Sequence, residues 1–247
     1  LMIRRWHRFL GMQSRVAAQL PHIVTVSRCS AVDIATDFGV LPGVLHVVPN
    51  GVDTQLFRPL PSVARNPRQI IATASADAPL KGLAVLLRAF KTLVEADPSR
   101  RLVLIARPKP GGDTEALIRD LGLADHIRFV GDASHEDINR LYAESAVAVV
   151  PSLYEGFGLP AVEAMAAGVP LVSSDGGALA EVVADGGLLV PAGDCDALAE
   201  KLERVLTDPA LARALGDQGR QRVERQFCWS VCAEQMVEQY RACIEAC

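Results

Sequence analysis

The sequence has few aromatic residues and no long apolar run. Only 5% of its 247 residues are Phe, Trp or Tyr, although half of them are hydrophobic. The core must therefore be built mainly from Ala, Val and Leu, which is usual for a parallel sheet that helices cover. No apolar run reaches the ~18 residues that a membrane-spanning helix needs. The net charge of −4 at pH 7 argues against nucleic acid as a partner.

The six cysteines are scattered and lack the spacing of a metal or redox site. No CxxC pair occurs. Cys228 and Cys232 lie four residues apart on a predicted helix, but no His lies at ligand spacing from them. We therefore expect free thiols, a cytoplasmic location and no metal site.

From residue 69 the sequence alternates between strand and helix patterns with short connections. The predicted strands cover residues 69–75, 101–106, 126–130, 146–150, 170–173 and 187–190. The predicted helices cover residues 82–95, 114–122, 135–143, 160–167, 178–184, 195–206, 209–226 and 229–245. Repeated βα units at this spacing predict an α/β protein with a Rossmann-like, doubly wound parallel sheet.

The first 48 residues do not fit that sheet. They predict a helix over 2–19, a strand over 22–27 and a helix over 31–38, which is too little to form a core of its own. Basic and apolar residues are mixed over 4–10. This mixture is typical of a membrane-surface helix, but it also fits a packed helix with an exposed basic face, and both interpretations stay open.

The most informative stretch is Glu155-Gly-Phe-Gly-Leu-Pro-Ala-Val-Glu163. A buried strand is predicted before it and another after it. Pro160 suits the first turn of a helix between them, and Gly168 suits the C-terminal stop of that helix. The turn therefore lies at the carboxyl end of a parallel strand, where open α/β sheets bind ligands.

The residues of this turn favour a ligand with a diphosphate and vicinal hydroxyls. Gly156 and Gly158 lack a Cβ, so backbone N–H groups and the following helix start can approach an anion closely. Glu155 projects from the turn, and Glu163 lies one helical turn into the helix, where a carboxylate can accept hydrogen bonds from hydroxyls. These properties together predict a sugar-nucleotide site.

The same string resembles the glutamate-x7-glutamate motif of the retaining GT-B glycosyltransferases of family 4 (glycosyl transferases group 1). The resemblance implies that Glu155 faces the donor sugar as the catalytic residue and that Glu163 binds the ribose hydroxyls. The turn and helix start then offer backbone N–H groups to the donor, and the residues concerned are Gly156, Phe157, Gly158 and Leu159. The implied reaction transfers a hexose from a UDP- or GDP-sugar to a lipid, glycan or small-molecule hydroxyl, with retention and without a metal or other cofactor.

The resemblance also implies a cationic contact to the donor phosphates. Lys81 stands at a predicted helix start, where the helix dipole disfavours a cation unless an anion binds. The family has a glycine-arginine pair six residues earlier, whereas this sequence has Ser75-Ala76, so Arg107 or Lys109 is the candidate for the second cation. A solvated loop charge is the alternative for Arg107. Gly131 follows a strand where the family places the nucleobase, and a simple loop glycine is the alternative. We expect Gly176-Gly177 and Glu181 to close a loop and start a helix, with contact to the donor as the alternative.

By the same resemblance the chain has four parts. Residues 1–48 correspond to the end of an N-terminal, acceptor-side Rossmann-like domain, residues 49–68 to an interdomain linker, residues 69–226 to the C-terminal nucleotide-sugar domain, and residues 227–247 to a helix that crosses back. We therefore expect the rest of the N-terminal domain as a partner, with peripheral contact at the inner membrane face left open. The alternatives are a non-catalytic nucleotide-sugar-binding fragment or split subunit, and an epimerase or phosphorylase of the same architecture.

Overall fold

The computed structural model of the chain describes residues 2–73 and 78–245, with side chains from residue 9 onward. The pair Ser75-Ala76 and all the basic side chains in the stretch 4–10 therefore lie outside the described residues. Among the residues that are described, no helix combines the length and the apolar character needed to cross a bilayer.

A six-stranded parallel sheet forms the larger part of the fold. Its strands are β3 (Asn66–Thr73), β4 (Arg101–Ile105), β5 (Ile127–Val130), β6 (Ser145–Val150), β7 (Leu171–Ser174) and β8 (Leu188–Val190). Their order in the sheet is β5-β4-β3-β6-β7-β8. The chain builds outward from β3 through β4 to β5 and then returns to place β6 on the other side of β3. This order confirms the predicted doubly wound sheet and creates a crevice at the carboxyl ends of β3 and β6.

Helices cover both faces of this sheet. They are α3 (Leu83–Ala96), α4 (Asp113–Asp120), α5 (His135–Glu144), α6 (Leu159–Ala166), α7 (Leu179–Val183), α8 (Cys195–Thr207) and α9 (Pro209–Gln226). A last helix, α10 (Trp229–Glu245), follows α9 and packs against it. Successive strand residues point to opposite faces, so Ile70 packs in the cluster with α3 and α8, whereas Ile71 packs in the cluster with α6 and α7. Both clusters are built mainly of aliphatic residues, as the scarcity of aromatics predicts.

The chain before residue 48 forms a smaller unit. It contains α1 (Met2–Ala17), β1 (Ile23–Thr25), α2 (Arg28–Phe38) and β2 (Leu45–Val47), and the two strands pair in parallel. The helix α1 carries exposed apolar side chains, as α10 does at the other end of the chain. These side chains are Phe9, Met12, Val16 and Leu20 on the α1 side and Trp229, Val237, Tyr240 and Ile244 on α10.

Several boundaries differ from the predicted ones for local physical reasons. The strand β3 begins at Asn66, three residues before its predicted start. The prediction missed these three residues because they are exposed and show no apolar pattern. The helix α2 begins at Arg28 rather than at residue 31, because the Ser27 side chain caps it by accepting a hydrogen bond from Ser30 N. The strand β2 was not predicted, since its three residues are at most half-buried and show no alternation.

Candidate functional site

Gly82 allows the chain segments that follow β3 and β6 to pack closely against each other. A short 3-10 turn over Pro79–Lys81 ends at Gly82, which has φ +64°. A Cβ at Gly82 would lie 1.9 Å from the carbonyl oxygen of Pro151, and Leu153 N donates to Leu80 O at 2.8 Å. The backbone after β3 therefore packs directly against the backbone after β6, which only glycine at position 82 allows.

This packing brings Lys81 and Glu155 into contact. Lys81 Nζ lies 2.7 Å from Glu155 Oε1, and Ser152 Oγ donates to the same oxygen at 2.8 Å. The Glu155 side chain is 12% exposed and that of Lys81 is 34% exposed, so the pair is partly shielded from water. An anion that binds Lys81 must compete with Glu155 for the ammonium group.

The glycine turn, residues 155–158, is fixed by close backbone contacts on one side. Ala178 N donates to Glu155 O at 2.8 Å, and a Cβ at Gly177 would lie 2.4 Å from that oxygen. Gly158, at φ +100°, is the N-cap of α6, and a Cβ there would lie 2.6 Å from Leu179 Cδ2. The predicted loop closure by Gly176-Gly177 is confirmed, because these glycines let the following loop reach the turn.

The side chains of Phe157, in the turn, and Leu159, directly after it, lie in different environments. Phe157 is buried and packs edge-to-face on Phe227, with 5.7 Å between the ring centroids. Leu159 is exposed and has Pro160 beside it in the first turn of α6. Phe157 therefore anchors the turn to the end of α9, which leaves its backbone as the part that can meet a ligand.

Glu163 lies within α6, as predicted, and is half-buried. Burial raises the pKa of Glu163 to about 7, and the positive charge of His135 opposes this shift. Burial first, and the charge of Glu163 second, also raise the pKa of Tyr142, whose hydroxyl lies 3.1 Å from Thr73 Oγ1 at the end of β3. Glu163 is thus a carboxyl group that is readily protonated near neutral pH.

Arg107 and Gly131 lie next to each other but on the far side of β3 from the glycine turn. Arg107 follows β4, and Gly131 follows β5. A Cβ at Gly131 would lie 3.1 Å from Arg107 Nε, and the guanidinium pairs with Asp132. Arg107, one of the two candidates for the second cation, therefore already has an acidic partner.

Sequence reasoning missed the contact between α2 and the glycine turn. Ser27 Oγ and Ser30 Oγ both donate to Gly156 O, at 2.7 and 3.1 Å. Glu181, which lies in the first turn of α7 as expected, accepts a hydrogen bond from Cys29 N at 2.9 Å. The only available signal was the capping pattern of Ser27, which predicts a helix start but not its distant partner.

Within the part of the chain that the structure describes, no three His, Cys, Asp or Glu side chains are grouped to hold a metal ion. The described cysteines carry free thiols, as predicted, and these are Cys29, Cys195, Cys228, Cys232 and Cys243.

Sequence comparison connects this site to a family of known proteins. The family described as glycosyl transferases group 1 matches residues 61–222. An MMP alpha-(1->4)-mannosyltransferase from Mycolicibacterium hassiacum is 49% identical over 98% of this chain and 59% of its own length. A phosphatidyl-myo-inositol mannosyltransferase from Mycobacterium leprae is 36% identical over 78% of this chain and 52% of its own length. The chain thus spans between half and three fifths of these two relatives.

Solved structures agree with the fold. A sucrose-phosphate synthase from Thermosynechococcus elongatus superposes with a TM-score of 0.81 at 31% identity, over 96% of this chain and 62% of that one. Anabaena HepE, solved in complex with UDP and glucose, superposes with a TM-score of 0.83 over 94% of this chain and 66% of that one. At 23% identity the second likeness is one of fold alone. The sheet and its flanking helices match the C-terminal domains of GT-B glycosyltransferases, as the sequence predicted.

Proposed function

Because this chain belongs to the glycosyl transferases group 1 family, we propose that it carries the donor site of a retaining glycosyltransferase. The enzyme transfers a hexose from a nucleotide sugar to an acceptor hydroxyl. The observation that carries this proposal is the convergence of Lys81 and Ser152 on Glu155 Oε1, at the crevice where β3 and β6 end. Open α/β sheets bind their ligands at such a crevice.

The donor diphosphate fits the cationic side of this crevice. Lys81 and the N-terminus of α6 both favour an anion, and the glycine turn between them presents backbone N–H groups. When the sugar leaves, negative charge grows on the diphosphate, and these same groups stabilise it. Donor binding draws Lys81 from Glu155 towards the phosphates, so Glu155 becomes available to the sugar.

Glu155 acts on the sugar as a positioned carboxylate. Ser152 holds its Oε1, and the Ala178 contact holds its backbone. In the retaining reaction that the resemblance implies, the acceptor attacks the face that the leaving phosphate vacates, and the phosphate receives the acceptor proton. Glu155 then orients the sugar and stabilises positive charge on it without forming a bond to it.

We propose mannose as the transferred hexose and a sugar hydroxyl as the acceptor. The support is the 49% identity to an enzyme whose name states alpha-(1->4)-mannosyl transfer. A (1→4) linkage requires the 4-hydroxyl of an acceptor sugar, so the acceptor is a glycan and not a lipid headgroup without such a group.

A calorimetric binding panel tests the donor site. The purified chain is titrated with GDP-mannose, UDP-glucose and ADP-glucose, each beside its nucleoside diphosphate. We expect binding of GDP-mannose, with GDP as the weaker ligand because it lacks the sugar that Glu155 contacts. Failure of all three sugar nucleotides to bind contradicts the proposed site, and tighter binding of UDP-glucose contradicts the assignment of mannose.

A further inference from the structure

The N-terminal end of α2 meets the glycine turn through a single carbonyl group. Ser27 Oγ lies 2.7 Å and Ser30 Oγ 3.1 Å from Gly156 O, across 129 and 126 residues of sequence respectively. A carbonyl oxygen has two lone pairs, and two hydroxyl donors occupy them here. This concentration of donors on one peptide group distinguishes Gly156 from its neighbours in the turn.

The two hydroxyl groups are themselves held in place. Ser27 is 2% exposed, and its Oγ accepts a hydrogen bond from Ser30 N at 3.0 Å while it donates to Gly156 O. Cys29 N donates to Glu181 Oε1 at 2.9 Å, and the Tyr154 hydroxyl donates to Asp33. The first half of α2 is therefore tied both to Tyr154, the residue before Glu155, and to α7.

These contacts fix the direction of one N–H group in the turn. In a planar trans peptide the C=O of one residue and the N–H of the next point in opposite directions. With Gly156 O held against α2, the Phe157 N–H points away from α2. Glycine is the residue with the least resistance to backbone rotation, so the two serine hydrogen bonds restrain the peptide between Gly156 and Phe157.

We infer that Ser27 and Ser30 are positioning residues that aim the Phe157 N–H at an oxygen of the donor diphosphate or donor sugar. The inference rests on the proposed function of the glycine turn as the donor site. It assigns a role in donor binding to α2, which precedes the matched family segment (residues 61–222) in the chain. Through these hydroxyl groups, the smaller unit of the fold orients one peptide group in the glycine turn of the larger unit.

The test compares variants that separate helix capping from donation to Gly156. Ser30→Ala removes one donor and leaves the cap. Ser27→Asp keeps a capping acceptor but has no proton to donate, whereas Ser27→Thr keeps both functions. Ser14→Ala is the matched control. Ser14 Oγ donates to Phe38 O at 3.2 Å, so this substitution removes a similar hydrogen bond at the other end of α2.

Calorimetry of the 247-residue protein with GDP and guanosine, and with UDP and uridine, provides the main readout. For the diphosphate that wild type prefers, we expect Ser30→Ala and Ser27→Asp to lose about 3- to 10-fold in affinity, the range of one hydrogen bond. Ser27→Thr and Ser14→Ala should bind as wild type does. The matching nucleoside should bind all variants alike, since it does not reach the glycine turn.

Amide hydrogen exchange gives an independent readout of the turn. The Phe157 and Gly158 amides should exchange faster in Ser30→Ala than in wild type or Ser14→Ala. Unchanged diphosphate affinity in Ser30→Ala, or an equal loss for the nucleoside, overturns the positioning role while the proposed function stands. Wild-type protein that binds none of GDP-mannose, UDP-glucose and ADP-glucose overturns the proposed function, and the positioning role with it.

Discussion

Glu163 is a carboxyl group whose surroundings oppose its charge. Its pKa is raised to about 7 from an ordinary 4.5, mainly by burial. The folded protein therefore holds a proton on Glu163 that the unfolded chain releases between these two values. The bound proton stabilises the folded state. This stabilisation is fully present below pH 4.5 and is lost as the pH rises through about 7. A carboxyl group with such a raised pKa, one helical turn after the glycine turn, fits the proposed contact to a ligand.

The variant Glu163→Gln tests this interpretation by separating stability from binding. Glutamine carries no charge, so at pH 8 the variant should be more stable than wild type by on the order of 1–3 kcal/mol, and at pH 4.5 the difference should vanish. Its nucleotide affinity should nevertheless fall, by about 1.5–3 kcal/mol for a charge-assisted bond to the ribose hydroxyls.

Urea denaturation at both pH values and calorimetry at pH 8 measure these two effects. The exposed Glu238→Gln serves as the control, and neither property should change in it. Unchanged nucleotide affinity in a folded Glu163→Gln protein contradicts the ribose role.

Lys81 is expected to matter for the diphosphate and not for the nucleoside. Lys81→Ala removes the ammonium group that lies 2.7 Å from Glu155 Oε1. The affinity for the nucleoside diphosphate should fall by about 1.5–3 kcal/mol, and that for the nucleoside should stay the same. Lys91→Ala is the control, because Lys91 pairs with Glu95 on an exposed face of α3. Equal losses for the diphosphate and the nucleoside are the result that contradicts phosphate binding by Lys81.

At the scale of elements, Gly82 joins the two halves of the crevice. A Cβ at this position would meet Pro151 O at 1.9 Å, and the residue also has a positive φ. Gly82→Ala should therefore destabilise the fold by about 3–5 kcal/mol, from the backbone strain and the steric clash together. It should also weaken diphosphate binding, because Lys81 moves with the displaced turn.

Gly122→Ala provides the matched control for this prediction. Gly122 has φ +68°, close to that of Gly82, but nothing lies within 4 Å of its added Cβ. It should lose only the strain of a left-handed alanine, about 1–2 kcal/mol, with no change in ligand affinity. Urea denaturation of both variants measures the difference, and similar losses in the two would show that the approach to Pro151 contributes little.

The central elements were predictable because buried segments have apolar sequence patterns. The strands β4 and β6 are buried apolar runs, and the α6 boundaries follow from Pro160 and Gly168. The sheet topology then placed Lys81 and Glu155 at the same edge. Their direct contact was not predictable, because it depends on the short turn before Gly82 and on packing across 74 residues.

The elements and contacts that were missed have no such pattern in the local sequence. The strand β2 has only half-buried or exposed residues, so its pairing with β1 leaves no alternation in the sequence. The serines of α2 contact Gly156 across more than a hundred residues, and a capping serine has the same local pattern whether or not it has a distant partner. The pairing of Arg107 with Asp132 likewise joins two separate loops and has no pattern in the local sequence.

At the scale of the whole molecule, donor binding and sugar transfer are separable. The chain spans 59% of the length of the M. hassiacum mannosyltransferase. The resemblance places the donor site on the part that this chain contains and the acceptor site in a cleft formed with a facing N-terminal domain. Holding two substrates in a reactive geometry contributes roughly 7–11 kcal/mol to catalysis, and this contribution depends on both walls of the cleft.

We therefore expect residues 1–247 to bind the sugar nucleotide and to transfer its sugar several orders of magnitude more slowly than a two-domain enzyme. The measurement follows radiolabelled mannose from GDP-mannose to a mannose-containing oligosaccharide, with the full-length M. hassiacum relative assayed in parallel as the positive control. Calorimetry on the same preparation verifies that the donor site is intact. Turnover comparable to that of the relative, without an added partner, would mean that this chain completes the acceptor site itself, and the exposed apolar faces of α1 and α10 would then be the first surfaces to examine for it.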